Sequence, residues 1–379
     1  MYNVFDYARE YGDKSFSELP FNDVDAVLLC NAMYMWVEWV VSRDLQPIDE
    51  AMTIAESNRL LMEMFHGEYV GFGLAMNAQV PKGYDEIAQT KRFGNIKITG
   101  ARNEYDIDEH LQYFAVTLFI DDEQLMVVYR GTDDSMAGWI EDADIFVKQE
   151  IPSYPLALSY IHEVADTYPD KKIIVGGHSK GGNVALYAAL SCREDVRARF
   201  SRVYNNDGPG FANYDIFKTG AYDQIKPVYR HIIPFNSMVG MMLCHDKDYL
   251  IVNSTAPVGA MQHSSETWQF KGPELDLRDE LGTEGKINER AFEMLGENVD
   301  LDNLHAIYGL LLAMDEGMSQ PGLIGIAKNL PSSVIAAVKA YRQAEPEEKE
   351  LIKKGLLKFG GILKTSVQSV RQENKEKKQ

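Results

Sequence analysis

The chain has 379 residues, 45% of them hydrophobic and 25% charged, with a formal net charge of −19. Such a composition fits a globular protein with a large core, and its acidity excludes a nucleic-acid partner, since a polyanion would be repelled. No stretch reaches the ~18 uninterrupted apolar residues of a membrane span, and Met1 to Glu10 is not expected to act as a secretory signal. Residues 1 to about 90 read as mostly helical. Phe21-Asn22-Asp23 predicts the cap of a helix running through Val40, and Pro47 to Phe65 has a second helical pattern in Ile54, Leu60, Leu61 and Met64. Pro81-Lys82-Gly83-Tyr84 then predicts a turn.

From Phe93 onward strands and helices alternate. Ile96–Ile98, Gln112–Ile120 and Gln124–Tyr129 read as strands, the last two joined through Asp121-Asp122-Glu123 as a hairpin. Helices follow over Ala137–Val147 and Pro155–Tyr168, and then an apolar, β-branched strand, Lys172–Val175, leads to a helix over Asn183–Leu190. Arg202–Asn206, Val228–Ile233 and Tyr249–Val252 complete the strands. The interleaving predicts an α/β fold with a mainly parallel sheet covered on both faces.

Beyond Phe270 the pattern is helical again, over Ile287–Leu295, Leu301–Met314 and Leu323–Tyr341. Lys349 to Gln379 starts as a basic amphipathic helix and ends in a charged tail from Arg371, its glycines Gly355, Gly360 and Gly361 weakening it. The expected organisation is therefore a helical segment at 1–90, a core at 91–275, a helical extension at 276–348 and the amphipathic segment at 349–379. That last segment is expected to pack on its own domain, with peripheral contact to anionic lipid as the alternative. Cys30, Cys192 and Cys244 are far apart and lack C-x-x-C spacing, which predicts reduced core thiols in a cytoplasmic setting.

The chemistry concentrates at Gly177-His178-Ser179-Lys180-Gly181-Gly182, on the corner between the Lys172 strand and the following helix. This fits the G-x-S-x-G nucleophile elbow, where a strained turn lifts a serine hydroxyl above the sheet and small residues let strand and helix nearly touch. A Rossmann or Walker reading fails: there is no G-x-G-x-x-G, and Lys180 precedes the glycine pair. A serine needs an imidazole to take its proton and an acid to orient that imidazole, in chain order serine, acid, histidine. His231, His245, His263 and His305 lie downstream; His263, in a turn-like segment after the last predicted core strand, is the expected base. Asp207, ending the Arg202 strand before Gly208-Pro209-Gly210, is the expected acid, with Asp246 and Asp248 as alternatives and Asp215 and Asp223 read as loop residues. The backbone N–H groups of Thr132 and Lys180 are the expected oxyanion donors, the Thr132 hydroxyl adding to them.

Tyr129-Arg130-Gly131-Thr132, then Trp139 with Asp142, then Gly177-His178-Ser179-Lys180-Gly181-Gly182 resemble the fungal-type (class 3) lipases of the α/β-hydrolase superfamily over about residues 93 to 270. With Phe21-Asn22-Asp23-Val24-Asp25 and Gln262-His263-Ser264 through Trp268, the whole chain resembles a group of bacterial lipase-like proteins. The resemblance implies an α/β-hydrolase fold, Ser179 as nucleophile, His263 as base and Thr132 at the oxyanion. It departs at two places. Asn236-Ser237-Met238-Val239 stands where those lipases carry their acid, which moves the acid back one strand to Asp207. Lys180 replaces a usually apolar residue, and is expected either to attract an anionic substrate or to pair with a surface acid. The expected activity is hydrolysis of carboxylic, including lipid, esters through an acyl-enzyme, with no metal or organic cofactor. Thioester cleavage, acyl transfer by the same triad, and a non-catalytic hydrolase-fold protein are the alternatives.

Overall fold

The computed structural model of the chain describes residues 2–71, 79–133, 135–148, 150–298 and 330–376. Helices α1 (Val4–Tyr11) and α2 (Asp23–Ala32) precede a two-residue strand β1 (Met52–Thr53), then α3 (Ile54–Met64), α4 (Val80–Ala88) and α5 (Lys91–Gly94). Strands β2 (Lys97–Asp106), β3 (Leu111–Phe119) and β4 (Gln124–Tyr129) follow, then α6 (Met136–Val147), α7 (Ser153–Thr167), β5 (Lys172–His178), α8 (Lys180–Ser191), α9 (Glu194–Arg197) and β6 (Phe200–Asn206). The remainder comprises α10 (Gly220–Ile225), β7 (Tyr229–Pro234), β8 (Tyr249–Val252), α11 (Gly259–Gln262), β9 (Phe270–Lys271), β10 (Glu274–Leu275), β11 (Leu277–Arg278) and α12 (Thr283–Asn298). Two further helices, α13 (Leu330–Gln343) and α14 (Pro346–Glu376), close the described chain.

Nine strands form one sheet in the order β1-β2-β3-β4-β5-β6-β7-β8-β11. Pairing is parallel from β4 through β8 and antiparallel at both flanks. Parallel strands laid down in sequence order need crossovers of one hand, so their helices fall on one face of the sheet. Accordingly α7 and α8 pack on Leu125, Val127, Ile173, Val175 and Val203. The opposite face, with Met126, Val128, Ile174 and Ile232, is covered by the N-terminal helices through Val4, Val24, Val27, Leu28 and Ile87. Period-two alternation along the strands feeds both apolar layers. The result is the α/β-hydrolase architecture, with the N-terminal segment serving as one wall of the core.

Several sequence expectations are corrected. The helix from Asn22 ends at Ala32, not Val40, and a short 3-10 turn, Val37–Trp39, follows. Residues 24 through 32 are all buried, so no polar stripe marked its end. Pro81 to Tyr84 lies within α4: proline at the first turn gives up an N–H that had no intrahelical partner, and a Cβ on Gly83 would lie 2.0 Å from the Phe5 ring. The strand begun at Ile96–Ile98 runs on to Asp106. The charged end of the chain stays helical to Glu376. His305, the helix over Leu301–Met314 and the start of that over Leu323–Tyr341 fall outside the described residues.

Candidate active site

Parallel register brings the ends of β4 to β7 to one edge. Tyr129 pairs with Gly177, His178 with Asn206, and Asn206 with Ile232, so the residues that follow each strand emerge side by side. Ser179 sits at the corner between β5 and α8 with φ 58° and ψ −134°, a conformation that costs on the order of 1–3 kcal/mol and persists only where its surroundings impose it. Those surroundings are close. A Cβ on Gly177 would lie 2.2 Å from the Gly181 carbonyl carbon, and one on Gly181 would lie 2.1 Å from the Tyr129 oxygen. The Ser179 N–H donates to Asn206 O at 3.0 Å, fixing the corner to β6.

Ser179, His263 and Asp207 form one hydrogen-bonded chain. His263 Nε2 lies 2.9 Å from Ser179 Oγ, and His263 Nδ1 lies 2.7 Å from Asp207 Oδ2. A carboxylate only accepts, so Nδ1 carries the ring proton and Nε2 is left to accept from the serine. Asp207 is fully buried, has φ 49°, and its other oxygen accepts from the Ser237 hydroxyl at 2.5 Å and the Gly240 N–H at 3.1 Å. Burial raises its carboxyl above the ordinary range, against the pull of His263, Ser237 and Gly240. Ser237, in the stretch that follows β7, thus supplies a donor to Asp207, which follows the neighbouring strand β6.

His178 holds His263 in place. Its Nε2 lies 2.8 Å from the His263 carbonyl oxygen and its Nδ1 3.2 Å from the Tyr34 hydroxyl. Burial, with the His263 charge adding to it, pushes its pKa down to about 3, so the ring is neutral, donating from Nε2 and accepting at Nδ1. Trp268, fully buried, donates Nε1–H to Gln262 O at 2.8 Å, and Gln262 donates in turn to Ala256 O at 2.9 Å. Sequence reasoning gave no role to His178, Tyr34 or Ser237. The motif named His178, but Tyr34 lies 144 residues from it in sequence and left no signal.

On the oxyanion side the structure alters the expectation. The Thr132 hydroxyl donates to the Asp142 carboxylate, with both oxygens at 2.7 Å, so its proton is committed there and does not add to the expected backbone donors. Burial pushes the Asp142 carboxyl up to about 6 despite the Lys180 charge and the Thr132 hydroxyl. Gly131 runs against the serine: a Cβ there would be 3.1 Å from Ser179 Cβ. The Lys180 N–H is the first of α8 and has no intrahelical acceptor. Its side chain neither reaches a substrate nor meets a surface acid. Lys180 Nζ is buried and donates to Glu141 Oε2 at 2.6 Å, Gln112 O at 2.6 Å and Gln112 Oε1 at 2.8 Å. Glu141 also accepts from Gln112 N and Ser153 N, so one buried ion pair ties the elbow to α6, β3 and α7.

The other downstream candidates are elsewhere. His231 is buried in β7 with its ring stacked on Tyr229, and His245 packs against His231 and Tyr249. Asp246 lies 3.7 Å from Lys226 and Asp215 3.0 Å from Lys218. Asp223 lies in α10, and Asp248 precedes β8. None of them reaches Ser179. Cys30 and Cys192 are buried, Cys244 half-buried, and all are free thiols.

Among solved structures the chain is similar to a deletion mutant of the Rhizomucor miehei lipase propeptide complex, at 22% identity and TM-score 0.35, over 52% of this chain and 63% of that one. The native form of that complex gives 24% identity and TM-score 0.32 over 48% and 62%, and the M37 lipase 16% and 0.31 over 48% and 68%. The match thus spans less than two thirds of the first two chains. No curated protein matches. A family model described as Mbeg1-like matches residues 87–312, which is more than half of the 379 residues, and the chain belongs to the Mbeg1-like family.

Proposed function

We propose that the protein is a serine hydrolase that cleaves carboxylic esters, lipid esters included, through an acyl-enzyme on Ser179. The observation that carries this reading is the unbroken chain from Ser179 Oγ through His263 to buried Asp207, at a corner whose backbone strain is imposed by glycine contacts. In this scheme His263 Nε2 takes the Ser179 proton as Oγ attacks the ester carbonyl, and Asp207 stabilises the imidazolium that results. The carbonyl oxygen becomes an oxyanion held by the N–H groups of Thr132 and Lys180, each such donor contributing about 3 kcal/mol to the transition state. His263 then protonates the leaving alcohol, and a water deprotonated by the same imidazole releases the acid. Asp142 acts on Thr132: by accepting its hydroxyl proton it fixes the loop that presents the N–H.

The test is covalent labelling with a fluorophosphonate together with turnover of a short p-nitrophenyl ester. Wild-type protein is expected to label and turn over, and Ser179→Ala to do neither while melting normally. Folded wild-type protein that neither labels nor turns over would refute the assignment.

A further inference from the structure

We propose that α14 is a docking surface for an anionic lipid membrane, a role that does not depend on the chemistry at Ser179. One side of this 31-residue helix is committed to its own protein. Ile352, Gly355, Ile362, Ser366 and Val370 are buried, Arg290 of α12 donates to Ser369 Oγ at 2.9 Å, and it pairs with Glu373 at 2.9 Å. The adjacent side is apolar and uncovered: Leu356 is 51% exposed, Leu357 68% and Leu363 42%. At about 100° per residue, Leu363, Leu356, Lys353, Lys364 and Leu357 succeed one another around one continuous face. A Cβ at Gly360 or Gly361, within that stretch, would meet nothing within 4 Å.

Charge selects the occupant. Between 349 and 371 the helix carries six basic residues and one acidic one, in a chain whose net charge is −19. The basic block coincides with the exposed leucines, and the acidic residues, Glu347, Glu348, Glu373 and Glu376, stand at the helix ends. An interfacial helix needs apolar side chains that enter the acyl boundary, beside lysines long enough to keep their ammonium groups at anionic headgroups. Among the described residues no helix is long and apolar enough to cross a membrane, so the contact is peripheral. The helix that supports this surface also touches the loop beside the site. Its support, α12, donates from Asn288 Nδ2 to Ser237 O at 3.0 Å, next to the hydroxyl that holds Asp207.

Vesicle flotation of the full-length protein tests this, with phosphatidylserine-containing vesicles against pure phosphatidylcholine ones, at low and high salt. Wild type and Ser179→Ala are both expected to float with the anionic vesicles only, and to be released by high salt. The triple change Lys353→Glu, Lys354→Glu and Lys364→Glu is expected to weaken binding at least a hundredfold, at roughly fivefold or more per lysine. Leu356→Ser, Leu357→Ser and Leu363→Ser together should abolish it with short-ester turnover intact. Should the leucine variant fail to fold, the lysine variant decides alone, since those side chains are exposed. Wild-type protein that ignores both vesicles, a lysine variant that floats like wild type, or a concentration-dependent dimer lost with the leucines would overturn the proposal. Because flotation is read independently of turnover, an inactive protein that still floats would count against the hydrolase reading alone.

Discussion

Glycines at the elbow and glycines in α14 show how differently two regions of this chain are determined. A methyl group on Gly177 or Gly181 would overlap backbone atoms of a neighbouring element, whereas one on Gly360 or Gly361 would meet nothing. The elbow also carries a buried ion pair and a serine held at φ 58°. In α14, leucines face solvent beside lysines. Around Ser179 the strand, the helix and the Tyr129 end of β4 come too close for any side chain at Gly177 or Gly181. Along the exposed side of α14, around Gly360 and Gly361, no neighbouring element constrains the side chains, and under the membrane proposal the leucines and lysines there answer to a lipid surface.

The sharpest way to break this contrast is at Asp207. Asp207→Asn keeps the shape of the side chain but presents an amide to His263 Nδ1, favouring the tautomer with its proton on Nε2, where the serine needs an acceptor. Turnover of a soluble ester should fall about 10⁴-fold with a small change in melting temperature. A loss under tenfold would remove Asp207 from the relay. Next in size is the ion pair. Glu141→Ala leaves the buried Lys180 ammonium without a counter-charge and should cost about 3–5 kcal/mol in urea unfolding, while Glu141→Leu with Lys180→Met should recover most of it. If the single change is neutral, α6 is not tied to the elbow.

A third test uses pH. Burial pushes the Glu266 carboxyl from 4.5 up to about 7, with only the Gln79 N–H opposing. Between those values the folded state keeps a proton that the unfolded chain has released, so stability falls as pH rises through that window and then levels off. Glu266→Gln should remove this slope, at most about 1.4 kcal/mol per pH unit. Parallel stability curves for wild type and variant would show that the carboxyl titrates normally.

Legibility in the sequence followed the same division. The elbow was readable because steric necessity leaves glycines at fixed spacing after a β-branched strand. That Asp207 would lie against His263 was readable because the strand after it lacked an acid, but the hydroxyl of Ser237 that holds it was not, since a serine in a loop has many uses. Lys180 misled: beside a nucleophile a lysine reads as solvent-facing, and its partners Glu141 and Gln112 lie 39 and 68 residues away. The N-terminal wall was only partly legible. In α4 a proline and a glycine, ordinarily punctuation, mark a first turn and a close approach to Phe5. In α2 burial on all sides erased the periodicity that marks an end.

The smallest expected effect bears most directly on α14. A glycine within a helix costs about 1 kcal/mol relative to alanine through backbone entropy alone, unless a close neighbour needs the space. No neighbour does at Gly360 or Gly361, so Gly360→Ala and Gly361→Ala should each stabilise the helix by about that amount. Amide exchange along residues 355–366 is the measurement, because a local gain in one surface helix need not move the global transition. Slower exchange in both variants would show that folding alone does not account for these glycines. Faster exchange would mean that something covers this face in solution, and the contrast with the elbow would fail. Combined with flotation, the same variants separate two uses of the glycines. If they stiffen the helix and leave vesicle binding unchanged, the leucines and lysines carry the membrane contact; if binding falls as the helix stiffens, the contact needs a helix that can bend at its centre.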